Sequence, residues 1–139
     1  MIELDNETTL QVNKLFLEKV SSTMTQKNIE LIITSNQNIQ TINFEHRGIN
    51  APTDVLSFPY EDMPMAPLGT IIISSSYVLQ KAKELKHSNH DELSLLFIHG
   101  LLHILGYDHE VDDGEMRIKE KELIEKFALP KSLIVRTEG

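Results

Sequence analysis

The chain has 139 residues, enough for one domain with a buried core, and its 40% hydrophobic and 24% charged content is that of an ordinary globular protein. It contains no cysteine, which excludes disulfides and thiolate metal sites, so any metal must be held by nitrogen and oxygen. A formal charge of −8 argues against attraction of the whole molecule to nucleic acid or anionic membranes, so a polyanionic ligand would need a local positive site.

The first residues, MIELDNETTLQ, carry acids where a secretory signal carries bases, and no apolar run in the chain is long enough to span a bilayer. We therefore expect a cytoplasmic protein. Neither repeats nor a linker-like segment interrupt the sequence. This predicts a single domain over residues 1–139.

Taken in chain order, the hydrophobic pattern first predicts an amphipathic helix over residues 6–24. The residues expected on its apolar face are Leu10, Leu15, Phe16 and Val20. The short β-branched run NIELIITS, 28–35, is typical of a strand, and residues 36–46 follow as a short helix with Ile39 and Ile42 on one side.

Two more strands are predicted at 53–60 and 70–75, separated by a loop with two prolines and a glycine. A helix should run from Ser76 to about Lys86. The residues expected to face the core from this helix are Val78, Leu79, Ala82 and Leu85. Asp91 is the predicted N-cap of the next helix, and a last helix is expected over 113–127, before Pro130.

Strands interspersed with helices favour an α/β or α+β sandwich, and of the two we predict α+β. We expect a single-domain helix–sheet sandwich, in which helices cover a small mixed β-sheet. The charged run DHEVDDGEMRIKEKELIEK is mixed in sign and is most simply a solvated helix face.

Residues 99–109, HGLLHILGYDH, place three histidines in the most apolar stretch of the chain. On a helix, His99 and His103 are four residues apart and lie on one face. Gly106 can end the helix in the left-handed conformation, so the chain can reverse and bring His109 toward the other two. The spacing predicts convergence of three imidazoles on one cation. The histidines His46, His87 and His90 lack this spacing, and His87 and His90 are expected at the surface.

Three neutral histidines suit a zinc ion and leave a fourth position for water. That open position favours chemistry over a purely structural role, because zinc lowers the pKa of bound water to about 7. The metzincin peptidases share this spacing as H-E-x-x-H-x-x-G-x-x-H, but Gly100 stands where they have the glutamate that acts as general base. For a zinc peptidase, the sequence therefore has the expected metal ligands but lacks the general base.

The whole stretch closely resembles the HGxLHLxGYDH signature of the YbeY family of bacterial metal-dependent endoribonucleases. HRGINAPTDVLSFPY, residues 46–60, resembles that family's YRxxDxPTDVLSFP block, and LGTIIIS, residues 68–74, is similar to its LGDIVIS strand. The resemblance extends from about Ile39 to Phe127. It implies a compact α+β sandwich with a zincin-like metal helix, which agrees with the fold predicted from the pattern.

The resemblance also implies a function. His99, His103 and His109 match the family's three zinc ligands, and Arg47 matches its functionally important arginine. The implied activity is zinc-dependent cleavage of single-stranded RNA in ribosomal RNA maturation, including the 3′ end of the small-subunit RNA, and in ribosome quality control. The implied partners are ribosomal RNA and the small ribosomal subunit or its proteins.

Several residues keep two interpretations. Arg47 either binds phosphate or is a surface arginine at a helix end, and Asp108 either orients a histidine or caps the turn after Gly106. Lysines 81, 83 and 86 are candidates for a local positive surface. Asn50 and Thr70 stand where the family usually has aspartate, so no acid–base role is assigned to them.

Besides the peptidase, a further alternative is a non-catalytic ribosome-assembly factor that holds a structural metal. The charge of −8 is compatible with it, since an acidic protein can bind a basic ribosomal protein. Four protein ligands on the metal would favour this alternative over the nuclease.

Overall fold

The computed structural model describes residues 1–107 and 114–130. Four strands form one mixed sheet in the order β1-β2-β4-β3. The strands are β1 (Ile2–Asn6), β2 (Ile29–Thr34), β3 (Val55–Pro59) and β4 (Gly69–Ser74). The helices are α1 (Lys14–Ser22), α2 (Asn36–Arg47), α3 (Ser75–Leu85), α4 (Asn89–Ile104) and α5 (Glu115–Lys126). The predicted α+β sandwich with a small mixed sheet is confirmed.

The sheet is parallel except at one edge. β2 pairs in parallel with β1 and with β4, whereas β3 pairs antiparallel with β4. The isoleucines of β2 and β4 alternate between the two faces, so both faces of these central strands are apolar and both must be covered. β3 forms one edge of the sheet and β1 the other.

The two faces of the sheet have separate cores. On the larger face, Leu31 of β2 and the residues beside it in β4 pack with α1, α4 and α5, and Phe97 of α4 is fully buried there. On the other face, α2 contributes Ile39 to a smaller core with Leu56 and Ile72. α4 is apolar on nearly all sides, because it lies between the sheet and the other helices. Within the described residues, no helix has the length and apolarity needed to cross a membrane.

The predicted helix over residues 6–24 is wrong in its first half. Residues 2–6 form β1, and the helix begins only at Lys14, where the side chain of Asn13 accepts a hydrogen bond from the amide of Phe16. Leu15, expected in the core, is 72% exposed. The pairing of β1 with β2 decides the structure here, because five residues carry too weak a pattern to identify a strand from sequence.

Other expectations about helix faces and ends also need correction. Leu79 and Leu85 are exposed, and only Val78 and Ala82 of the predicted set are buried. α4 begins earlier than expected, because the side chain of Ser88, rather than Asp91, accepts the capping hydrogen bond. The predicted start of the last helix at residue 113 lies outside the described residues.

His87 is not a surface residue. Its side chain is 5% exposed, and Nε2 lies 2.8 Å from Oε1 of Glu92, whose side chain is fully buried. α3 ends just before His87, so the ring reaches the first turn of α4 across the short connection. His90 packs its ring edge-on against Phe16 at 4.7 Å between centroids. Both rings therefore hold the start of α4 in place.

Candidate metal centre and groove

The helix α4 places His99 and His103 one turn apart on its open side. Their Nε2 atoms are 3.1 Å apart, and the two rings meet edge-on with centroids 4.6 Å apart. Ile98, Leu101 and Leu102, which alternate with them, are fully buried in the core. The side chain of His99 is 31% exposed, and His103 is half-buried. The apolar residues thus fix the helix, and the two imidazoles are left accessible from outside.

This separation fits a shared metal ion. Two nitrogens bound to one tetrahedral zinc at 2.0–2.1 Å lie about 3.3 Å apart, close to the distance between the two Nε2 atoms. The third predicted ligand, His109, and Asp108 beside it lie outside the described residues. Within residues 1–107 and 114–130, no three His, Asp or Glu side chains are grouped as metal ligands. The described part of the chain therefore supplies a two-nitrogen site.

α4 ends directly after His103 in the way the sequence predicts. Gly106 has φ +100°, its amide donates to the carbonyl of His103, and the amide of Tyr107 donates to that of Leu102. This pair of hydrogen bonds is a Schellman motif, in which a residue of positive φ reverses the chain at a helix end. The turn after the second histidine is thus built into the backbone.

A groove of about 550 Å³ runs between the paired histidines and the edge strand β3. Arg47 borders it as the last residue of α2, at the end of a helix whose side chains otherwise cover the opposite face of the sheet. The remaining lining comes from residues 53–59. The structure therefore brings three sequence-predicted residues, His99, His103 and Arg47, to one groove around the edge of the sheet.

A buried carboxylate that the sequence analysis missed stands behind His99. Glu120 of α5 is 1% exposed, and its Oε1 lies 3.6 Å from Nδ1 of His99. The charged run containing it was expected to be solvated, yet Met116, Leu123 and Ile124 are buried with it. The sequence carries a signal for this position. Met116 lies four residues before Glu120, and Leu123 and Ile124 lie three and four residues after it. This helical spacing places Glu120 on the apolar face of α5.

Gly100 lets α4 lie close to the sheet. A Cβ atom at this position would be 2.8 Å from Cγ2 of Ile71 and 3.3 Å from Oγ of Ser57. The space that the catalytic glutamate of a metzincin would need is therefore occupied by β4 and β3. This adds a steric argument to the chemical one against a peptidase.

Asn50 and Thr70, where family aspartates were expected, make local hydrogen bonds. Asn50 accepts from the side chain of Gln40 at 2.9 Å. Thr70 is 7% exposed, lies 2.6 Å from the hydroxyl of Tyr60, and donates to Glu30 at 3.0 Å. The contacts of Thr70 tie β4 to its neighbours on the sheet.

The candidate lysines lie on or just after α3. Lys81 pairs with Glu84 at 3.3 Å, and hydrogen bonds from Gln80 and Lys81 hold the pKa of the Glu84 carboxyl below its usual value. The charge of Lys81 is thus partly compensated at the surface. Among the lysines and arginines of the described ranges, Arg47 is the one that lines the groove.

Fold and site together define a small α+β domain in which one buried helix presents two histidines to a groove beside the edge of the sheet. The family model described as Endoribonuclease YbeY matches residues 2–128. A protein of Aliarcobacter butzleri with that name is 57% identical over 98% of this chain and 99% of its own length. One of Sulfurimonas denitrificans, also named Endoribonuclease YbeY, is 55% identical over the whole of both chains.

Among solved structures, the solution structure of a Thermotoga maritima protein is similar, with a TM-score of 0.64 and 30% identity. The match covers 91% of this chain and 89% of that one. The chain belongs to the Endoribonuclease YbeY family.

Proposed function

We propose that this chain is a zinc-dependent endoribonuclease that cleaves single-stranded RNA. Family membership supports the reaction class, since the relatives bear the name endoribonuclease. The observation that carries the proposal is the pair of Nε2 atoms, 3.1 Å apart, that borders the same groove as Arg47. This combination suits a metal-dependent nuclease, which must both bind and polarise a phosphodiester.

His99 and His103, together with His109, would hold the zinc ion. When bound, zinc supplies Lewis acidity toward a phosphoryl oxygen and acidifies a coordinated water. The nitrogen donors and their separation fit this ion, and no thiolate competes for it because the chain has no cysteine.

Glu120 would act as a positioning residue for His99. A histidine binds metal through one ring nitrogen while the other carries its proton, and a carboxylate beside that second nitrogen fixes the tautomer. The carboxylate of Glu120 lies nearer to Nδ1, and Nε2 faces His103. Glu120 would therefore keep the proton on Nδ1 and leave the lone pair of Nε2 directed into the site.

Arg47 would bind the phosphate of the substrate. A guanidinium donates two parallel hydrogen bonds to phosphate oxygens and offsets the charge that develops in the transition state. Because the chain carries a net charge of −8, a cation inside the groove is needed to hold a polyanion there. The exposed position of Arg47 at the end of α2 leaves its side chain able to reach such a ligand.

We further propose ribosomal RNA as the substrate, with the 3′ end of the small-subunit RNA as the maturation site and a second role in ribosome quality control. The small ribosomal subunit would be the partner, and the reaction would take place in the cytoplasm. This substrate comes from the family resemblance of the motifs His99–His109 and 46–60. A non-catalytic assembly factor predicts the same partner without cleavage.

The proposal is tested with purified full-length protein and a labelled single-stranded RNA. Cleavage should stop with a chelator, return with added zinc, and be abolished in His103→Ala. Arg47→Lys should bind and cleave more weakly, because an ammonium group cannot form the bidentate contact. His90→Ala is the matched control, since His90 packs on Phe16 away from the groove.

Cleavage that persists in both chelator and His103→Ala would show that a contaminating nuclease is responsible. Absence of cleavage in the zinc-loaded protein, with loss of stability when the metal is removed, would favour the assembly factor.

A further inference from the structure

The edge strand β3 directs a regular set of backbone groups into the groove. Its pairing with β4 is antiparallel, the amide of Ser74 donates to the carbonyl of Asp54, and the amide of Tyr60 donates to that of Leu68. In an antiparallel ladder, alternate residues of a strand direct both backbone groups to the partner. The backbone groups of the residues between them, Val55, Ser57 and Pro59, therefore point away from β4 and into the groove.

These outward groups are nearly all acceptors. The amide of Val55 already donates to the carboxylate of Asp54 at 2.8 Å, and Pro59 has no amide hydrogen. The edge therefore offers the carbonyl oxygens of Val55, Ser57 and Pro59 but only the amide of Ser57. Across the part of the chain that the structure describes, no hydrogen bond to these carbonyls is found.

This polarity decides between two kinds of occupant. An added peptide strand presents alternating donors and acceptors, so its acceptors opposite Val55 and Pro59 would find no amide. Proline on an edge strand is also a device by which proteins prevent strand addition. The edge better suits a ligand that places hydrogen-bond donors toward β3 at a regular repeat and directs its hydrogen-bond acceptors away from the strand.

We propose that the β3 edge binds the ribose 2′-hydroxyl groups of a single RNA strand, with the carbonyls of Val55, Ser57 and Pro59 as acceptors. This inference rests on the proposed function and extends it to the means by which RNA is distinguished from DNA. The 2′-hydroxyl is the donor that RNA has and DNA lacks. Alternate residues of a strand are about 6.6 Å apart, a spacing comparable with successive nucleotides of an extended single strand.

The charges in the groove agree with this orientation. Carbonyl oxygens repel phosphate, so the phosphates must lie on the opposite wall. Arg47 and the paired histidines line the groove together with the strand edge. The sugar thus faces β3 while the phosphate faces Arg47, and selectivity for RNA arises at the binding step.

The test compares oligonucleotides of one sequence bound to the full-length protein in chelator, which prevents cleavage. RNA should bind more tightly than DNA and than 2′-fluoro RNA, in which the 2′ donor is replaced by fluorine. Each 2′-hydroxyl removed inside the site should weaken binding by about two- to tenfold. 2′-Amino RNA, which keeps a donor, should bind about as well as RNA. The carbonyl carbon resonances of Val55, Ser57 and Pro59 should shift with RNA and not with 2′-fluoro RNA.

Equal binding of RNA and 2′-fluoro RNA would overturn the inference, and zinc-dependent cleavage would still support the proposed function. Failure to bind any of the oligonucleotides would also overturn the inference, and cleavage of RNA by the zinc-loaded protein decides the proposed function separately. The variant Ser57→Ala removes the side-chain hydroxyl and keeps the backbone carbonyl, so it distinguishes the two as the RNA-binding group. Loss of the RNA preference in this variant would contradict a backbone site. The alternative occupant is an added peptide strand. It would be identified if an extended valine- and threonine-rich peptide displaced the RNA and protected the Ser57 amide from hydrogen exchange.

Discussion

The carboxylate of Glu120 lies 3.6 Å from Nδ1 of His99, while Nε2 of the same ring faces His103 at 3.1 Å. The two nitrogens of one imidazole are thus divided between a buried acid and the groove. Because α5 supplies the acid and α4 the histidine, the packing of these two helices determines the orientation of the ring.

Replacing Glu120 should weaken zinc binding without removing a zinc ligand. We expect Glu120→Leu to lower zinc affinity by about 10- to 100-fold, because the tautomer of His99 is no longer fixed. Competition with a chromophoric chelator measures the affinity, and nitrogen-15 chemical shifts of the ring report the tautomer in the metal-free protein. Glu122→Gln is the control, since Glu122 is exposed and pairs with Lys119. An unchanged His99 tautomer in Glu120→Leu would contradict the positioning role.

Replacing either described histidine should remove bound zinc. His99→Ala and His103→Ala each delete one nitrogen donor, and we expect both variants to lose zinc on dialysis against a weak chelator that leaves the wild type loaded. Metal analysis of the dialysed proteins measures this. The variant His46→Ala, whose ring packs against Phe58, should retain the wild-type zinc content. Full zinc retention in His103→Ala would show that the ion binds elsewhere.

Zinc binding should weaken as the pH falls, because protonation of imidazole competes with the metal. A histidine binds metal only when neutral, and the pKa of histidine side chains is ordinarily about 6.5, so affinity should fall below that pH. Dialysis at about pH 5 and about pH 8, on either side of that pKa, followed by metal analysis, compares the two states. Equal zinc content at both values would indicate a ligand set without histidine.

Adding a methyl group at Gly100 should destabilise the fold. Alanine favours helix by about 1 kcal/mol over glycine, but its Cβ would be 2.8 Å from Ile71, and overpacking of this kind costs about 1–3 kcal/mol. We expect a lower urea midpoint for Gly100→Ala. Lys83→Ala on the exposed side of α3 serves as control for helix propensity and should change the midpoint little. A higher midpoint for Gly100→Ala would show that the sheet yields to the methyl group.

The turn after α4 should require glycine. Gly106 has φ +100°, where a side chain costs about 1–2 kcal/mol, so Gly106→Ala should unfold at lower urea concentration. Among the described residues, no atom lies within 4 Å of the added Cβ, so the cost there is one of backbone conformation and not of packing. Gly106→Asn, which tolerates the left-handed region better, should be intermediate. Equal stability of all three proteins would contradict this assignment.

The sequence determined the features that depend on local pattern. The spacing of His99 and His103 and the glycine three residues later predict a helix that presents two imidazoles and then ends, and the structure has both. The run of isoleucines in β4 likewise identifies a buried strand. Such features follow from backbone periodicity and from the φ that only glycine adopts easily, both of which can be inferred from neighbouring residues alone.

Features that depend on distant partners could be decided only by the tertiary structure. β1 is a strand because β2 lies beside it, and His87 is buried because Glu92 is within reach. Glu120 belongs to the site because α5 packs against α4, which places a carboxylate behind His99. The groove is formed from both faces of the sheet, because Arg47 at the end of α2 and His99 and His103 of α4 all border it beside β3. The physical reason is that burial and hydrogen bonding across a fold join residues far apart in the chain, and their contribution exceeds the local preferences that the sequence displays.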